Sequence, residues 1–224
     1  DAAHQLRTPL AVLKTQVQSA QRGDVPPATA YAEIAQTTER ATELANQMLS
    51  LAKVEQLRQQ ASSPVLDWAD AVRSVALDLG PLVVDKALDF ELDIKLEPGH
   101  TQVQAHEWML RELTRNLLGN AIAHCPQGGS LRVLMAQEQQ HAVLTIADSG
   151  PGITPEFMAR VFEPFASGAG SHRGHRGSGL GLAIVKEIVN TLGGSMALAN
   201  RMQGDRVMGL DASVRLPLVE ESPA

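Results

Sequence analysis

Two asparagines lie one helical turn apart in the segment NLLGNA. Asn116 and Asn120 are separated by four positions, so in a helix their side chains share one face. Paired amides are poor core residues, because every buried amide group needs a hydrogen-bond partner. An amide oxygen is a suitable ligand for Mg²⁺, which keeps its waters and takes few protein groups. The pair indicates a magnesium-dependent site, with a helix face that caps a neighbouring loop as the structural alternative.

A turn with an acidic residue follows a strand pattern further along the chain. In DSGPGI, Asp148 stands at the end of the strand, and Gly150 and Gly152 follow it. A carboxylate in this position can accept a hydrogen bond from an exocyclic amine, and glycines let the backbone approach a ligand closely. The same letters also describe a simple turn. Taken alone, the segment leaves both interpretations open.

A run of alternating glycines precedes an apolar helical pattern. In GSGLGLAIV, Gly177, Gly179 and Gly181 lead into the helix, with Leu180 between the last two. Free N–H groups and the positive end of the helix dipole meet there, which favours a phosphate group. A dinucleotide-binding turn has a similar pattern, but that turn follows a strand, and no strand pattern precedes this one.

The segment before these glycines is cationic and small. It begins with FEPF, which contains Phe162, and continues as ASGAGSHRGHR over 166–176, with the charged and titratable residues His172, Arg173, His175 and Arg176. This composition is typical of a mobile lid that brings cations over phosphates. A metal site on the two histidines would lack a third ligand nearby, whereas a solvated loop without ligand is compatible with a lid.

The amino-terminal segment HQLRTPLAVLKTQ combines a histidine with a proline inside a helical pattern. The apolar positions Ala3, Leu6, Leu10, Leu13, Val17 and Ala20 form a heptad seam. In that register His4 lies beside the seam and faces water. Pro9 lacks the N–H of a helical hydrogen bond and presses on the preceding turn. We expect a bend there that leaves room for a partner domain to reach the imidazole; a lone surface histidine is the structural alternative.

Composition limits the class of protein. The 224 residues are 44% hydrophobic, which is enough for one large domain or two small ones and excludes general disorder. The net charge of −6 argues against a nucleic-acid binder with a broad basic face. The single cysteine forms no intrachain disulfide, and no bilayer span or signal peptide is visible. Because Asp1 stands inside a helical pattern without a start methionine, we expect a fragment of a longer chain.

These chemical groups require two kinds of structure to position them. Residues 1–60 form a helical hairpin, broken at 23–27, whose second helix carries an apolar stripe that includes Ile34, Ala41 and Met48. A single hairpin is too thin to bury this face, so a four-helix bundle of two copies is expected. Residues 61–66 read as a linker, and 67–220 as a second domain.

The second domain alternates helix and strand patterns. Helices are predicted at 68–84, 107–123 and after the glycine run, and Thr154 and Pro155 begin another in TPEFMARVF. Strands are predicted at 88–94, 130–136, 141–147, and in SMALAN and LDASVRLPL. Helices segregated from a mostly antiparallel sheet give an α+β sandwich.

The order of these motifs resembles the histidine kinases of two-component systems. The asparagine pair, Asp-x-Gly-x-Gly, Phe-x-Pro-Phe and Gly-x-Gly-x-Gly are similar to the N, G1, F and G2 boxes of their ATP-binding domain, and HQLRTPL resembles their H box. The resemblance covers essentially the whole chain. It implies a dimerising phosphoacceptor hairpin followed by a sandwich of the Bergerat type, which gyrase and MutL share.

The resemblance implies a role for each motif residue. His4 would be the phosphoacceptor, with Gln5 and Thr8 as neighbouring catalytic positions, and Thr8 would position water in a reverse phosphatase reaction. Asn120 would hold Mg²⁺. The residues implied in ATP binding are Asn116, Asn120, His124, Asp148, Gly150, Gly152, Phe162, Arg173, Arg176, Gly177, Gly179, Leu180 and Gly181.

Partners and location follow from the same resemblance. The phosphoryl group would pass from His4 to an aspartate of a response regulator, whose receiver domain would dock near Leu10, Val12, Lys14 and Thr15. The chain would be a homodimer and the cytoplasmic part of a bacterial inner-membrane sensor protein, attached through segments outside this sequence. No nucleic-acid partner is expected.

Several positions depart from the family pattern. Gln5 stands where many of these kinases carry an acid that accepts the imidazole proton, and a glutamine is no base near neutral pH. His106 replaces an aspartate ahead of the asparagine helix, Ala123 a basic residue and Cys125 a threonine. Gln5 leaves one alternative open, an ATP-binding module biased towards phosphatase activity or without catalysis. A gyrase-like ATPase or an anti-sigma serine kinase would lack the hairpin that carries the histidine.

Overall fold

The computed structural model describes residues 2–60, 63–94, 101–166 and 178–219, and the backbone alone for 2–4. Two compact units divide between Lys53 and Val54. The predicted fold class is confirmed, since a helical amino-terminal region precedes a domain of helices and sheet.

The first unit contains one helix and most of a second, whose last turn belongs to the second unit. Helix α1 covers Ala2–Arg22 and continues through Pro9, and α2 covers Pro27–Arg58. The turn between them is closed by the Gly23 and Asp24 N–H groups, which donate to the carbonyls of Ala20 and Ser19 at 3.1 Å each. The apolar seam is incompletely covered in a single chain, because Leu10 is 57% exposed.

The second unit contains a five-stranded sheet. Its strands are β2 (Asp89–Ile94), β4 (Ser130–Glu138), β5 (His141–Asp148), β6 (Ser195–Gln203) and β7 (Arg206–Pro217), in the spatial order β2-β4-β5-β7-β6. Only the pair β2–β4 is parallel among these neighbours, and the other pairs are antiparallel. The mostly antiparallel sheet predicted from the strand patterns is therefore confirmed.

Three helices accompany the sheet and share its core. They are α3 (Trp68–Asp85), α4 (Glu107–His124) and α6 (Gly181–Thr191). Alternate strand residues are buried because each strand turns every second side chain to the same face. The largest wholly buried side chains are Trp68, Met109, Leu110, Leu113, Leu118, Leu131, Met135, Leu144, Ile146, Leu180, Ile184 and Ile188. In α4 the apolar positions form one face, and this leaves Asn116 and Asn120 half-buried at its edge.

Two details differ from the sequence prediction. A two-stranded sheet of β1 (Val65–Asp67) and β3 (Gln102–Gln104) was not predicted, and β1 overlaps the end of the linker placed at 61–66. Three-residue strands are too short to show alternation, so only pairing across the chain reveals them. The helix predicted in TPEFMARVF is the single turn α5 (Pro155–Met158), with Thr154 as the predicted cap. Helix α1 is continuous through Pro9, and the bend expected there stays a prediction.

Helices α3 and α4 differ in how their first turns are capped. Asp67 caps α3 by accepting a hydrogen bond from the Ala69 N–H at 3.0 Å, but His106 at the start of α4 makes no such bond through its side chain. Within the described residues, its Nε2 is buried and has no hydrogen-bond partner. The helix that carries the asparagines therefore begins without the usual side-chain cap.

Replacing His106 by aspartate should stabilise the domain. An aspartate at this position accepts from the free N–H groups of the first turn, and such a cap contributes about 1 kcal/mol. Urea unfolding at pH 7 measures the change. His106→Ala is the matched control, because it removes the unpaired imidazole without adding a cap; an equal gain in both variants would contradict the capping explanation.

Candidate functional site

The start of α6 lies against the two asparagines of α4. A Cβ atom placed on Gly181 would lie 2.9 Å from Oδ1 of Asn116 and 3.5 Å from Nδ2 of Asn120. The Asn116 amide nitrogen donates to the carbonyl and to the carboxylate of Glu112, at 2.9 and 3.0 Å. These bonds leave Oδ1 of Asn116 on the side of Gly181. The structure therefore brings the asparagine pair and the glycine-rich helix start together.

The carboxylate of Asp148 is fixed at the end of β5. Its Oδ1 accepts hydrogen bonds from the N–H groups of Gly150 at 2.7 Å and Leu210 at 3.2 Å, and the residue is 5% exposed. Burial raises the pKa of this carboxyl above its ordinary value, while those two hydrogen bonds and the charges of His124 and Arg201 oppose the rise. Because both backbone donors use Oδ1, Oδ2 is the oxygen left for an external donor.

The turn after Asp148 closes against the end of the asparagine helix. A Cβ on Gly150 would lie 2.9 Å from the carbonyl oxygen of His124, so only glycine fits this position without a shift of the backbone. The His124 side chain is exposed, and its charge acts on Asp148. Gly152 packs against Asn200, whose Oδ1 would lie 2.5 Å from an added Cβ. The motifs around Asn120 and Asp148 thus belong to one site.

The residues on either side of the cationic segment meet at its base. The Phe165 N–H donates to the carbonyl of Gly179 at 3.0 Å. Gly179 has a φ of +72° and an added Cβ would lie 2.4 Å from the Ala166 carbonyl oxygen, so both conformation and space require glycine. Leu180 is wholly buried and anchors the start of α6. Phe162 is half-buried, with the Lys186 ammonium 5.3 Å from its ring centre.

The start of α6 has the properties of an anion site. Leu180 occupies the cap position and makes no cap bond through its side chain, while its own N–H donates to Oγ of Ser178 at 3.1 Å. The first N–H groups of a helix lack partners inside the helix, and the dipole adds positive potential there. A phosphate beside Gly181 would therefore meet these donors next to the asparagines.

Other predicted residues lie outside this cluster or outside the described residues. Arg173, Arg176 and Gly177, together with His172 and His175, fall in the segment 167–177, which the structure does not describe. His4 has a helical backbone in α1, and its side chain is not described; Gln5 is half-buried and Thr8 exposed in the same helix. Cys125 is buried, with its sulfur 3.4 Å from the carbonyl oxygen of Ser130.

Sequence reasoning missed three polar residues around the site. The Lys86 ammonium, at the end of α3, donates to the carbonyls of Ile122, Ala123 and Cys125 at 2.7 to 2.9 Å and so caps the end of α4. Asn200 and Arg201 of β6 bond to the backbone of the turn that follows β5. All three act at positions more than thirty residues away in sequence, and no local pattern marks them.

Neither a cluster of ionisable side chains that could hold a metal nor a helix that could span a membrane is found among the described residues. No group of three or more histidine, cysteine, aspartate or glutamate side chains among them is placed to hold a metal ion. None of the described helices is both long and apolar enough to cross a bilayer.

Two protein-family models match this chain, and one of them shows the class of the second unit. Residues 105–220 match the family model of histidine kinase-, DNA gyrase B- and HSP90-like ATPases, and residues 1–57 match the His Kinase A (phospho-acceptor) domain. The chain is 35% identical to the sensor protein kinase PmrB of Pseudomonas aeruginosa over 221 residues, 97% of this chain. The chain belongs to the sensor histidine kinases of two-component systems.

The match covers part of the longer relatives. This chain spans 44% of the length of PmrB. The fold is that of the histidine kinase AdeS of Acinetobacter baumannii, with a TM-score of 0.75 and 23% identity, covering 97% of this chain and 98% of that one. It is also similar to the histidine kinase ThkA, solved in complex with the response regulator TrrA, with a TM-score of 0.74 and 19% identity over 97% of this chain and 60% of that one.

Proposed function

We propose that this chain is the catalytic part of an ATP-dependent protein-histidine kinase. It would autophosphorylate His4 and pass the phosphoryl group to an aspartate of a response regulator. The observation that carries the proposal is the assembly of Asn116, Asn120, Asp148 and the Gly179–Gly181 turn in one sandwich, in a chain that also matches a phospho-acceptor domain. The named relatives are sensor kinases, which does not favour a module without catalysis.

The site residues suit a nucleotide with magnesium. Asp148 would accept from the exocyclic amine of adenine, and the first N–H groups of α6, from Gly181 onward, would receive the phosphates. Asn120 would hold Mg²⁺ with Asn116 in support, since amide oxygens are hard ligands and Oδ1 of Asn116 is left on the phosphate side by the bonds to Glu112. Bound Mg²⁺ supplies neutralising charge on the phosphates. His124, Gly150, Gly152, Phe162 and Leu180 complete this proposed site, with Arg173, Arg176 and Gly177 from the undescribed segment.

The phosphoryl transfer is a substitution at phosphorus. A neutral imidazole nitrogen of His4 bonds to the γ-phosphorus as the bond to the β–γ bridging oxygen breaks, so ADP leaves and the ring loses its N–H proton. The phosphohistidine then gives the phosphoryl group to an aspartate oxygen of the regulator. Thr8, exposed one turn after His4, would position the water that hydrolyses the regulator's aspartyl phosphate in the phosphatase reaction.

The partner proposals use exposed surface of the first unit. Leu10, Val12, Lys14 and Thr15 are all exposed in α1, which suits a receiver domain that docks beside His4. A second copy of the chain would cover the remaining apolar positions, which include Val17 at 37% and Leu49 at 67% exposure, in a four-helix bundle. The domains would be 1–60, a linker at 61–66 and 67–220, within a longer protein held at the inner membrane by other segments.

Incubation with γ-labelled ATP and Mg²⁺ tests the kinase proposal. Label that is lost in acid and stable in base identifies a phosphohistidine, and transfer of this label to a receiver domain identifies the second step. Nucleotide binding without any label would favour the non-catalytic alternative. Absence of nucleotide binding would contradict the proposal altogether.

Replacing Gln5 by glutamate should raise the rate of autophosphorylation. A carboxylate next to His4 accepts the imidazole proton during the transfer, and general-base catalysis contributes about a hundredfold when well placed. Single-turnover labelling at saturating ATP measures the rate. Gln18→Glu, which adds the same charge at an exposed position of α1, is the control; an unchanged or lower rate in the Gln5 variant would contradict a base role at this position.

A further inference from the structure

Two adjacent residues of β6 hold the segment that contains Asp148. The Asn200 side chain forms a pair of hydrogen bonds with Ile153: its Oδ1 accepts from the N–H at 2.8 Å, and its Nδ2 donates to the carbonyl at 2.7 Å. Both backbone groups of Ile153 are thereby satisfied as a neighbouring strand would satisfy them. The far end of the turn that follows Asp148 is fixed in this way.

Arg201 holds the near end of the same turn. Its Nη2 donates to the main-chain carbonyl of Asp148 at 2.6 Å, and its Nη1 donates to the carboxylate of Asp211 on β7. The regular pairing of β5 with β7 ends at Ala147 and Asp211. The carbonyl of Asp148 therefore lies beyond the last rung of this ladder, and the arginine side chain supplies the donor.

The backbone of β7 is adapted to this contact. A Cβ on Gly209 would lie 1.8 Å from the Asp148 carbonyl oxygen and 2.6 Å from Nη2 of Arg201. Its φ of +156° is also unusual for other residues. The register of β6 against β7 shifts directly after Arg201. The strand ends are therefore arranged around the contact between Arg201 and Asp148.

The fixed turn determines where the Asp148 carboxylate points. The two N–H groups that hold Oδ1 belong to Gly150, inside the turn, and to Leu210 on β7. Any movement of the turn moves one of these donors. We propose that Asn200 and Arg201 are positioning residues of the nucleotide site, which hold the 148–153 segment at both ends and so orient Asp148 towards adenine. This inference rests on the proposed function of Asp148.

A matched ion pair on the same sheet distinguishes positioning from general stabilisation. Nε of Arg132 on β4 lies 2.7 Å from Oε2 of Glu91 on β2, and both side chains are more than half exposed. This pair joins two other strands, so Arg132→Met removes an ion pair of the same sheet that does not bond to the Asp148 carbonyl. Its effect on nucleotide affinity measures what loss of an ion pair does without loss of the Asp148 contact.

The experiment measures binding of ATP with Mg²⁺ by calorimetry to the full chain and its variants. Wild type should bind, Arg201→Met and Asn200→Ala should bind about tenfold more weakly, and Arg132→Met should bind as wild type does. Arg201→Lys retains a donor for the Asp148 carbonyl and should restore part of the affinity. Thermal unfolding of each variant checks the fold; if Arg201→Met does not fold, Arg201→Lys and Asn200→Ala decide.

The pH dependence of affinity gives a second readout. Around Asp148, His124 on α4 and Arg201 on β6 contribute positive charge, and Asp211 on β7 pairs with Arg201. As the pH is lowered, ATP affinity should begin to fall at a higher pH in Arg201→Met than in wild type, because loss of the arginine charge raises the pKa of Asp148 further. Arg132→Met should show no such change. Equal affinity and equal pH profiles in all variants would overturn the positioning role. A wild-type chain that does not bind ATP would instead overturn the proposed function, and this inference with it.

Discussion

Replacing His4 by glutamine should lower the rate at which γ-labelled ATP labels the chain by at least about a thousandfold. Glutamine has a similar size and suits a helix, but its amide nitrogen is not a nucleophile. His4 lies in the first compact unit, whereas the proposed nucleotide residues belong to the second. ATP affinity should therefore remain at the wild-type value, and a labelling assay beside a binding assay separates the two steps.

His141→Gln is the matched control for this experiment. His141 is a half-buried residue at the start of β5 and has no proposed role. Its variant should incorporate label at the wild-type rate. Persistent label in the His4 variant, with the same acid lability, would mean that another residue is the phosphoacceptor. Loss of label in both variants would point to a general loss of structure.

Replacing Asp148 by asparagine should weaken ATP binding by about a hundredfold. The asparagine Oδ1 can keep the bonds from Gly150 and Leu210, so the turn is retained. In that orientation an N–H₂ group replaces Oδ2, and it faces the adenine amine as a second donor. Loss of a charged hydrogen bond together with an unpaired donor costs about 3 kcal/mol, which corresponds to this factor. Calorimetry with ATP and Mg²⁺ measures the affinity.

The same substitution should make the nucleotide-free chain more stable at neutral pH. Burial raises the pKa of Asp148 in the folded chain above its ordinary value of 3.8. The ionised carboxylate is therefore less favourable in the folded than in the unfolded chain. This penalty is complete above the raised pKa and disappears as the pH falls below the unfolded value. Asparagine lacks the penalty, so the advantage of Asp148→Asn should shrink towards pH 4.

Urea unfolding at neutral and acidic pH measures this gain in stability. Asp205→Asn is the control. Asp205 is exposed in the turn between β6 and β7, and its substitution removes the same charge. A difference between the two variants that does not change with pH would contradict the penalty at Asp148. Full ATP affinity in Asp148→Asn would contradict its role in binding adenine.

The sequence by itself determined the elements and the chemical motifs. The periods of α3 and α4, the alternation in β4 and β5, and the Thr154 cap are local properties, because each depends on neighbours within a few residues. The order of the five motifs indicated the family. Such signals survive without knowledge of the fold, since side-chain type and spacing alone produce them.

The tertiary structure alone decided how these motifs are held. Arg201 reaches the carbonyl of Asp148 across 53 positions, and Lys86 reaches the end of α4 across 36 to 39. The pairing of β1 with β3 has the same long-range character. The absence of a side-chain cap at His106 is likewise visible only from the side-chain contacts of the folded chain. A hydrogen bond between distant residues depends on where the chain brings its strands and helix ends together, and no local pattern carries that information.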